Sequence, residues 1–322
     1  MTYLIGMALM LTFGAEPEPG GYLFAHMLKE EYGRLRYSVS RDGLHWTLLN
    51  DGKRVLEEYR GHPDICKGHD GRYYLIGNYT GKPEITLWAS DDLITWSRHA
   101  EFTPSFDGIP NFTRGEHHNG APKIYYDAAS AVYVITWHTP MDRASKEEPE
   151  RMWASMRTLY VTSKDLTAFS APLRLFEFEM ATIDVIVRPE GGKYYAIIKD
   201  ERFPSEEWPT GKTIRVCEAD ALLGPYGPPS APLTKQFREA PTVIPQSGKQ
   251  GWFLYCEQYP AISYECFRAP RLNGPWEQVP PTDVAAPARA RHGSMIAITA
   301  AECDALMAAF PSAAEAVTPP AK

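Results

Sequence analysis

The chain repeats one unit five times, and this periodicity constrains its fold more than any other feature. Each copy opens on an aromatic–aliphatic segment: Tyr22-Leu23-Phe24, Tyr73-Tyr74-Leu75, Tyr133-Val134-Ile135, Tyr194-Tyr195-Ala196 and Trp252-Phe253-Leu254. A second strand-like stretch follows, and then a polar turn. Three turns are nearly alike: Ser40-Arg41-Asp42-Gly43-Leu44-His45-Trp46, Ser90-Asp91-Asp92-Leu93-Ile94-Thr95-Trp96 and Ser163-Lys164-Asp165-Leu166-Thr167-Ala168-Phe169. The last two keep only a skeleton, Leu223-Gly224-Pro225-Tyr226 and Asn273-Gly274-Pro275-Trp276. A period of roughly 50–60 residues suits one four-stranded propeller blade per repeat. The expected fold is all-β, a five-bladed β-propeller.

At 322 residues, a single five-bladed domain uses nearly all of the chain. Its 18 Tyr, 13 Phe and 8 Trp suit a strand-rich fold, and its 24 Gly and 28 Pro supply the turns. A net charge of −7 provides no basic footprint, which argues against nucleic acid as a partner. No apolar run is long enough to cross a bilayer, so no membrane partner is expected either. Residues 21–310 form the propeller domain, and the Ala- and Pro-rich stretch 311–322 resembles a poorly ordered tail.

Residues 1–20 leave two readings open. The apolar stretch Tyr3 to Phe13 ends near Gly14-Ala15, and the linker Glu16 to Gly20 follows, as in a secretory signal. No Lys or Arg precedes it, however, so a mis-assigned start or an apolar strand against the first blade is the alternative. The five cysteines (Cys66, Cys217, Cys256, Cys266, Cys303) fit no metal spacing, and an odd count argues against a full disulfide framework. The apolar stretch therefore favours a secreted or periplasmic location, and cysteine usage favours a cytoplasmic one.

The innermost strand of each blade belongs just before its aromatic segment. Five stretches qualify: His62-Pro63-Asp64-Ile65-Cys66, Gly120 to Asp127, Ile183 to Val187, Glu239 to Ile244 and Arg291 to Ile298. The last closes the ring by pairing with the N-terminal blade. Each places a polar residue where an otherwise apolar strand enters, facing the axis. Such residues also cap turns, which is the structural alternative for any one of them. Three carboxylates at separate entries, Asp64, Asp184 and Glu239, are harder to explain that way. Carboxylates converging on one cleft are desolvated and repel each other, so some of their pKa values should rise, as a general acid requires.

These blocks resemble the family 43 glycoside hydrolases, five-bladed propellers that remove pentosyl and related sugars from polysaccharides. The resemblance spans about residues 22–307. It is carried by Ile183-Asp184 with Gly192-Lys193-Tyr194-Tyr195, by Lys199-Asp200-Glu201, by Glu239-Ala240-Pro241-Thr242-Val243, by Ala121 to Asp127 and by Arg291-His292-Gly293-Ser294. It implies that Glu239 is the general acid and that Asp184 orients this acid and holds its pKa up. It further implies that His292 lies beside a calcium ion or its waters, with no organic cofactor. The family's general base, an Asp directly before a Pro, is replaced here by His62, with Asp64 two residues on. On a strand these two side chains share a face. Either Asp64 is the base with His62 as its partner, the favoured reading, or His62 is the base, or the ordinary inverting reaction is lost. His26, His117, His118, Asn119, Trp153 and Arg202 are further candidates for sugar contact.

The resemblance implies a hydrolase that removes terminal arabinofuranosyl, xylosyl or galactofuranosyl residues from a poly- or oligosaccharide, by an inverting mechanism. One alternative is a related propeller glycosidase with a changed base, acting for example on an anhydro-galactose. Another is a carbohydrate-binding propeller without turnover. The Ser-Asp-Trp turns also resemble sialidase repeats, but no motif supplies the arginine cluster or Tyr nucleophile that sialidases need.

Overall fold

The computed structural model describes residues 18–78, 82–112, 119–141 and 148–312. The apolar segment 3–13, the tail from 313, His117 and His118 lie outside them.

Strands β1 (Gly21–Leu28), β2 (Glu31–Ser40) and β3 (Trp46–Leu48) belong to the first blade. The second holds β4 (Asp64–Lys67), β5 (Tyr73–Asn78), β6 (Ile85–Ser90) and β7 (Ser97–Phe102). The third holds β8 (Gly120–Asp127), β9 (Val132–Pro140), β10 (Met156–Ser163) and β11 (Leu173–Arg174). The fourth holds β12 (Thr182–Glu190), β13 (Lys193–Asp200) and β14 (Ile214–Ala219). The fifth holds β15 (Arg238–Pro245), β16 (Trp252–Gln258), β17 (Ser263–Ala269) and β18 (Glu277–Gln278). Finally, β19 (Ala290–Ile298) pairs antiparallel with β1, from Gly21↔Ile298 to Leu28↔Ala290, and becomes the inner strand of the first blade. The inner strands touch in a closed ring, β19–β4–β8–β12–β15–β19. The protein is thus a five-bladed β-propeller closed by its last strand.

Two details depart from four strands in every blade. The fourth blade has three strands, and the segment along its outer edge contains Pro228, Pro229 and Pro232, which carry no N–H to donate. The backbone N–H groups of Gly227, Ser230 and Leu233 bond to β14 instead, through Glu218 O (2.9 Å), Val216 O and Ile214 O (2.8 Å each). The second departure is a helix after β19, α2 (Ala300–Ala309), which buries Cys303 and Leu306 against the first blade. Thr299 and Glu302 form a capping box at its start. All five cysteines are free, and all but Cys66 are fully buried.

The three similar turns fold alike. Ser40 Oγ donates to Asp42 Oδ1 (3.0 Å), which accepts the N–H groups of Leu44 (2.8 Å) and His45 (2.9 Å). Asp92 binds Ile94 and Thr95 in the same way, and Asp165 binds Thr167 and Ala168. In each turn the residue after the Asp is left-handed (Gly43, φ 77; Leu93, φ 64; Leu166, φ 58) and donates its N–H to the serine. In the two reduced turns a cis Gly–Pro bond brings Tyr226 and Trp276 back onto Leu222 O and Leu272 O. These turns lie at the outer rim, between the third and outermost strands of a blade or, in the fourth blade, just beyond the third.

Candidate active site

The inner strands do not enter the axis as regular strands. In β8 the pairing jumps from Gly120↔His138 to Lys123↔Thr136, and in β12 from Ile183↔Lys199 to Ile186↔Ile197. In β15 it jumps from Glu239↔Glu257 to Thr242↔Tyr255, and in β19 from Arg291↔Met27 to Gly293↔His26. Each of these four inner strands therefore carries one extra residue, a bulge that bends the strand and re-aims a side chain. Ala121, Asp184 and Ala240 sit in these bulges at φ 42, 53 and 49, a backbone region that is costly for non-glycine residues and recurs at functional sites. Counting back two residues from the first regular pair places His62 at the equivalent point of β4. In β19 the bulged residue is His292.

These bulges assemble a compact polar cluster. Glu239 Oε2 accepts from Lys199 Nζ at 2.9 Å, and Glu239 Oε1 meets His292 Nε2 at 3.0 Å and Arg291 Nη2 at 3.2 Å. Asp184 Oδ2 accepts the N–H of Ala240 at 3.0 Å, so this carboxylate fixes the backbone immediately after Glu239. The His292 ring stacks on the His62 ring, centroids 4.4 Å apart and planes 7° from parallel. Nε2 of His62 bonds Tyr32 Oη at 2.8 Å, while its Nδ1 has no partner among the described residues. Glu257, fully buried on β16 opposite Glu239, accepts the N–H of His292 at 3.0 Å and pairs with Arg291. Lys199 also pairs with Glu201 (2.7 Å), which in turn contacts Lys212.

Electrostatics differ from the expectation for a general acid. Burial pushes the Glu239 carboxyl up, but Lys199 and His292 together outweigh it and hold the group well below the ordinary carboxylate range. Burial opposes a charge on His292, yet the surrounding carboxylates, Glu239 first, raise its pKa above the usual histidine value. His62 moves the other way: burial, reinforced by the charge on His292, holds it well below the usual value. Burial and the neighbouring Glu239 raise Glu257. The cluster therefore favours an ionised Glu239, the charged form of His292 and a neutral His62. Of the two facing glutamates, the one whose pKa rises is Glu257, not Glu239.

Not every expected residue reaches this cluster. Asp64 is buried, and its Oδ2 accepts the N–H of Ile124 on the next inner strand at 2.7 Å. Among the described residues its Oδ1 and His62 Nδ1 both lack partners, and Asp64 is not bonded to the imidazole. The pairing expected between them is corrected: Asp64 lies one regular pair deeper and ties two blades together, as Thr242 does by accepting from Met295 N (2.9 Å). His26 is fully buried on β1, with Nδ1 against Met27 O (3.0 Å) and Nε2 against Ser38 Oγ (2.9 Å); burial lowers its pKa to about 4. It is a core histidine rather than a sugar contact. Asn119 is held between loops by its bonds with Pro83 O and the Asn78 side chain. Trp153, on the short helix α1 (Pro149–Ala154), packs near Met156, Ala181 and Ile183. Arg202 lies at the mouth of the axis, bidentate to Asp200 at 2.8 and 2.7 Å.

Four members of the cluster were not singled out from sequence: Tyr32, Lys199, Glu257 and Arg291. Lys199 and Arg291 stand inside recognised blocks, and Glu257 is an acid at the end of an apolar strand, WFLYCEQ. Tyr32 left no comparable signal, because it lies beside the hairpin between β1 and β2. Glu239, Glu257 and His292 bring three metal-ligating atoms within 4.8 Å of one another. Calcium favours six to eight oxygens, whereas this set offers two carboxylates already matched by Lys199, Arg291 and His292. The donor set does not fit calcium.

A family model described as "Probable glycosyl hydrolase domain", related to glycoside hydrolase family 43, matches residues 18–304. The chain belongs to this family of glycoside hydrolases. Among curated proteins, an α-L-arabinofuranosidase of Bifidobacterium longum is 24% identical over 186 residues, covering 50% of this chain and 17% of that protein. An exo-β-1,3-galactanase from Phanerochaete chrysosporium superimposes with a TM-score of 0.52 at 15% identity, covering 74% of this chain and 53% of its own. A thermostable family-43 glycoside hydrolase gives 0.52 at 16% identity, with 70% and 74% covered. At these identities the solved structures share the fold. The chain spans about a sixth of the curated relative's length and about half of the galactanase's.

Proposed function

We propose that the protein is an inverting exo-glycosidase that removes a terminal furanosyl or pentosyl residue from an oligo- or polysaccharide. In this reading Glu239 and His292 together supply the acid, and His62 is the base. The observation that carries it is the linked series Glu239–His292–His62–Tyr32, with contacts of 3.0, 4.4 (ring stack) and 2.8 Å. The glycosidic C–O bond breaks as its oxygen takes the proton that the His292 imidazolium passes to it through the Glu239 carboxylate, which ends the step ionised as it began. A water activated by His62 attacks the anomeric carbon and leaves its proton on the imidazole. The stacked imidazoles thus keep one positive charge throughout, first on His292 and then on His62. Inversion needs room for that water, with acid and base about 6.5–9.5 Å apart. Asp184 positions the acid through Ala240 N.

The α-L-arabinofuranosidase similarity supports an arabinofuranosyl substrate, and the galactanase fold keeps a galactosyl sugar under test. Turnover of aryl α-L-arabinofuranoside, β-D-xyloside, β-D-galactofuranoside and anhydro-galactoside, with Glu239→Gln alongside, tests the reading. Cleavage by the parent that Glu239→Gln retains in full would overturn it.

A further inference from the structure

Beyond Lys199, a line of aromatic rings leads away from the acid. The Lys199 ammonium, bonded to Glu239, lies 4.9 Å from the centroid of Tyr259. Tyr259 meets Phe237 at 6.0 Å and 75°, and Phe237 meets Phe203 at 6.2 Å and 68°. Tyr259 and Phe237 are half-buried, and Phe203 is 42% exposed, one of few large apolar side chains so open among the described residues. The three come from different segments: Phe203 follows β13, Phe237 precedes β15 and Tyr259 follows β16. The pairings Thr182↔Asp200 and Arg238↔Gln258 put all three segments at the end of the blades where Asp184 and Glu239 enter the axis. Beside them, Arg202 is fixed by Asp200 and lies over the Trp208 ring at 5.9 Å, with Nη1 in no hydrogen bond among the described residues.

Aromatic faces bind the apolar C–H faces of sugars, and a guanidinium at their margin supplies donors to hydroxyls. We infer that Tyr259, Phe237 and Phe203, with Arg202 at their edge, form a platform for the leaving-group side of a saccharide chain several sugars long. The inference rests on the reading that Glu239 protonates the glycosidic oxygen, because the platform is continuous with that residue through Lys199. It makes an oligo- or polysaccharide, rather than a small glycoside, the preferred substrate.

The test uses the full chain and the variants Phe203→Ala and Phe237→Ala, with thermal unfolding confirming that each folds. kcat/KM is measured on the aryl glycoside that the parent cleaves and on α-1,5-arabinotetraose, β-1,4-xylotetraose and β-1,3-galactotetraose. The ratio of tetrasaccharide to aryl glycoside is expected to fall about tenfold in each variant, mainly through KM, the size of one aromatic contact. An unchanged ratio overturns the platform even if Glu239→Gln abolishes turnover. If the parent turns over nothing, the catalytic reading fails separately, and calorimetric binding of the three tetrasaccharides decides the platform. Binding by the parent that either variant weakens supports it; no binding, or equal binding by all three proteins, overturns it.

Discussion

At the rim of the propeller, one set of residues does the same work in three blades; at the axis, one backbone position does different work in each. Asp42, Asp92 and Asp165 accept equivalent N–H groups, and each follows a serine that the next residue caps. Corresponding points of the inner strands carry His62, Ala121, Asp184, Ala240 and His292, all but His62 within a bulge. Only the two histidines and Asp184 join the polar cluster directly, and Ala240 joins it through its backbone N–H. A rim turn is local, so its residues must satisfy the same short-range geometry every time. An axial bulge meets a different neighbour in each blade, so the same strained backbone is free to present different chemistry. The rim should therefore govern stability, and the axis activity.

The largest expected effect is at Glu239. Glu239→Gln should lower kcat about a thousandfold on substrates with poor leaving groups and less on aryl glycosides, while leaving a folded protein. A rate effect no larger than that of a rim variant would break the comparison. His62→Ala should cost about a hundredfold in kcat with the fold intact, whereas Asp64→Asn should lower stability more than rate. The reverse pattern, measured by kinetics and denaturant unfolding side by side, would restore Asp64 as base.

A pH profile sharpens the assignment next. His62 must be neutral and is held well below the usual histidine pKa, so the acid limb of kcat/KM should fall below about pH 6.5. His292 must be charged and is held above that value, so the alkaline limb should lie above it. The same shifts set a stability window. The lowered Glu239 contributes above its unfolded pKa and is lost as pH falls through the folded one; the raised His292 contributes below its unfolded pKa and is lost as pH rises. A rate profile whose limbs both lie above pH 6.5 would contradict His62 as base. The smallest effect belongs to the rim: Asp92→Ala should cost about 1 kcal/mol of stability, read by denaturant unfolding, with kcat unaltered.

Residues close in sequence made much of this legible. The aromatic openings and Ser-Asp turns announced five blades, and both depend on contacts within a few residues or on one strand's alternation. The polar entries Asp184, Glu239 and His292 stood out because polar groups interrupt apolar strands. The helix α2 and its capping box, Thr299 to Glu302, were not anticipated from the sequence. His26 misled because a polar residue at a strand position looks the same whether its partner is a sugar or Ser38.

What the sequence by itself determined is the repeat and the blade count. The tertiary structure alone decided which groups touch. Glu239 and His292 are 53 residues apart, and His62 and His292 belong to the strands of different blades. Their protonation follows from burial and from neighbours delivered by ring closure: Lys199 and His292 lower Glu239, and Glu239 raises His292. Such energies depend on distances of a few ångströms between remote residues, and no pattern along the chain encodes them.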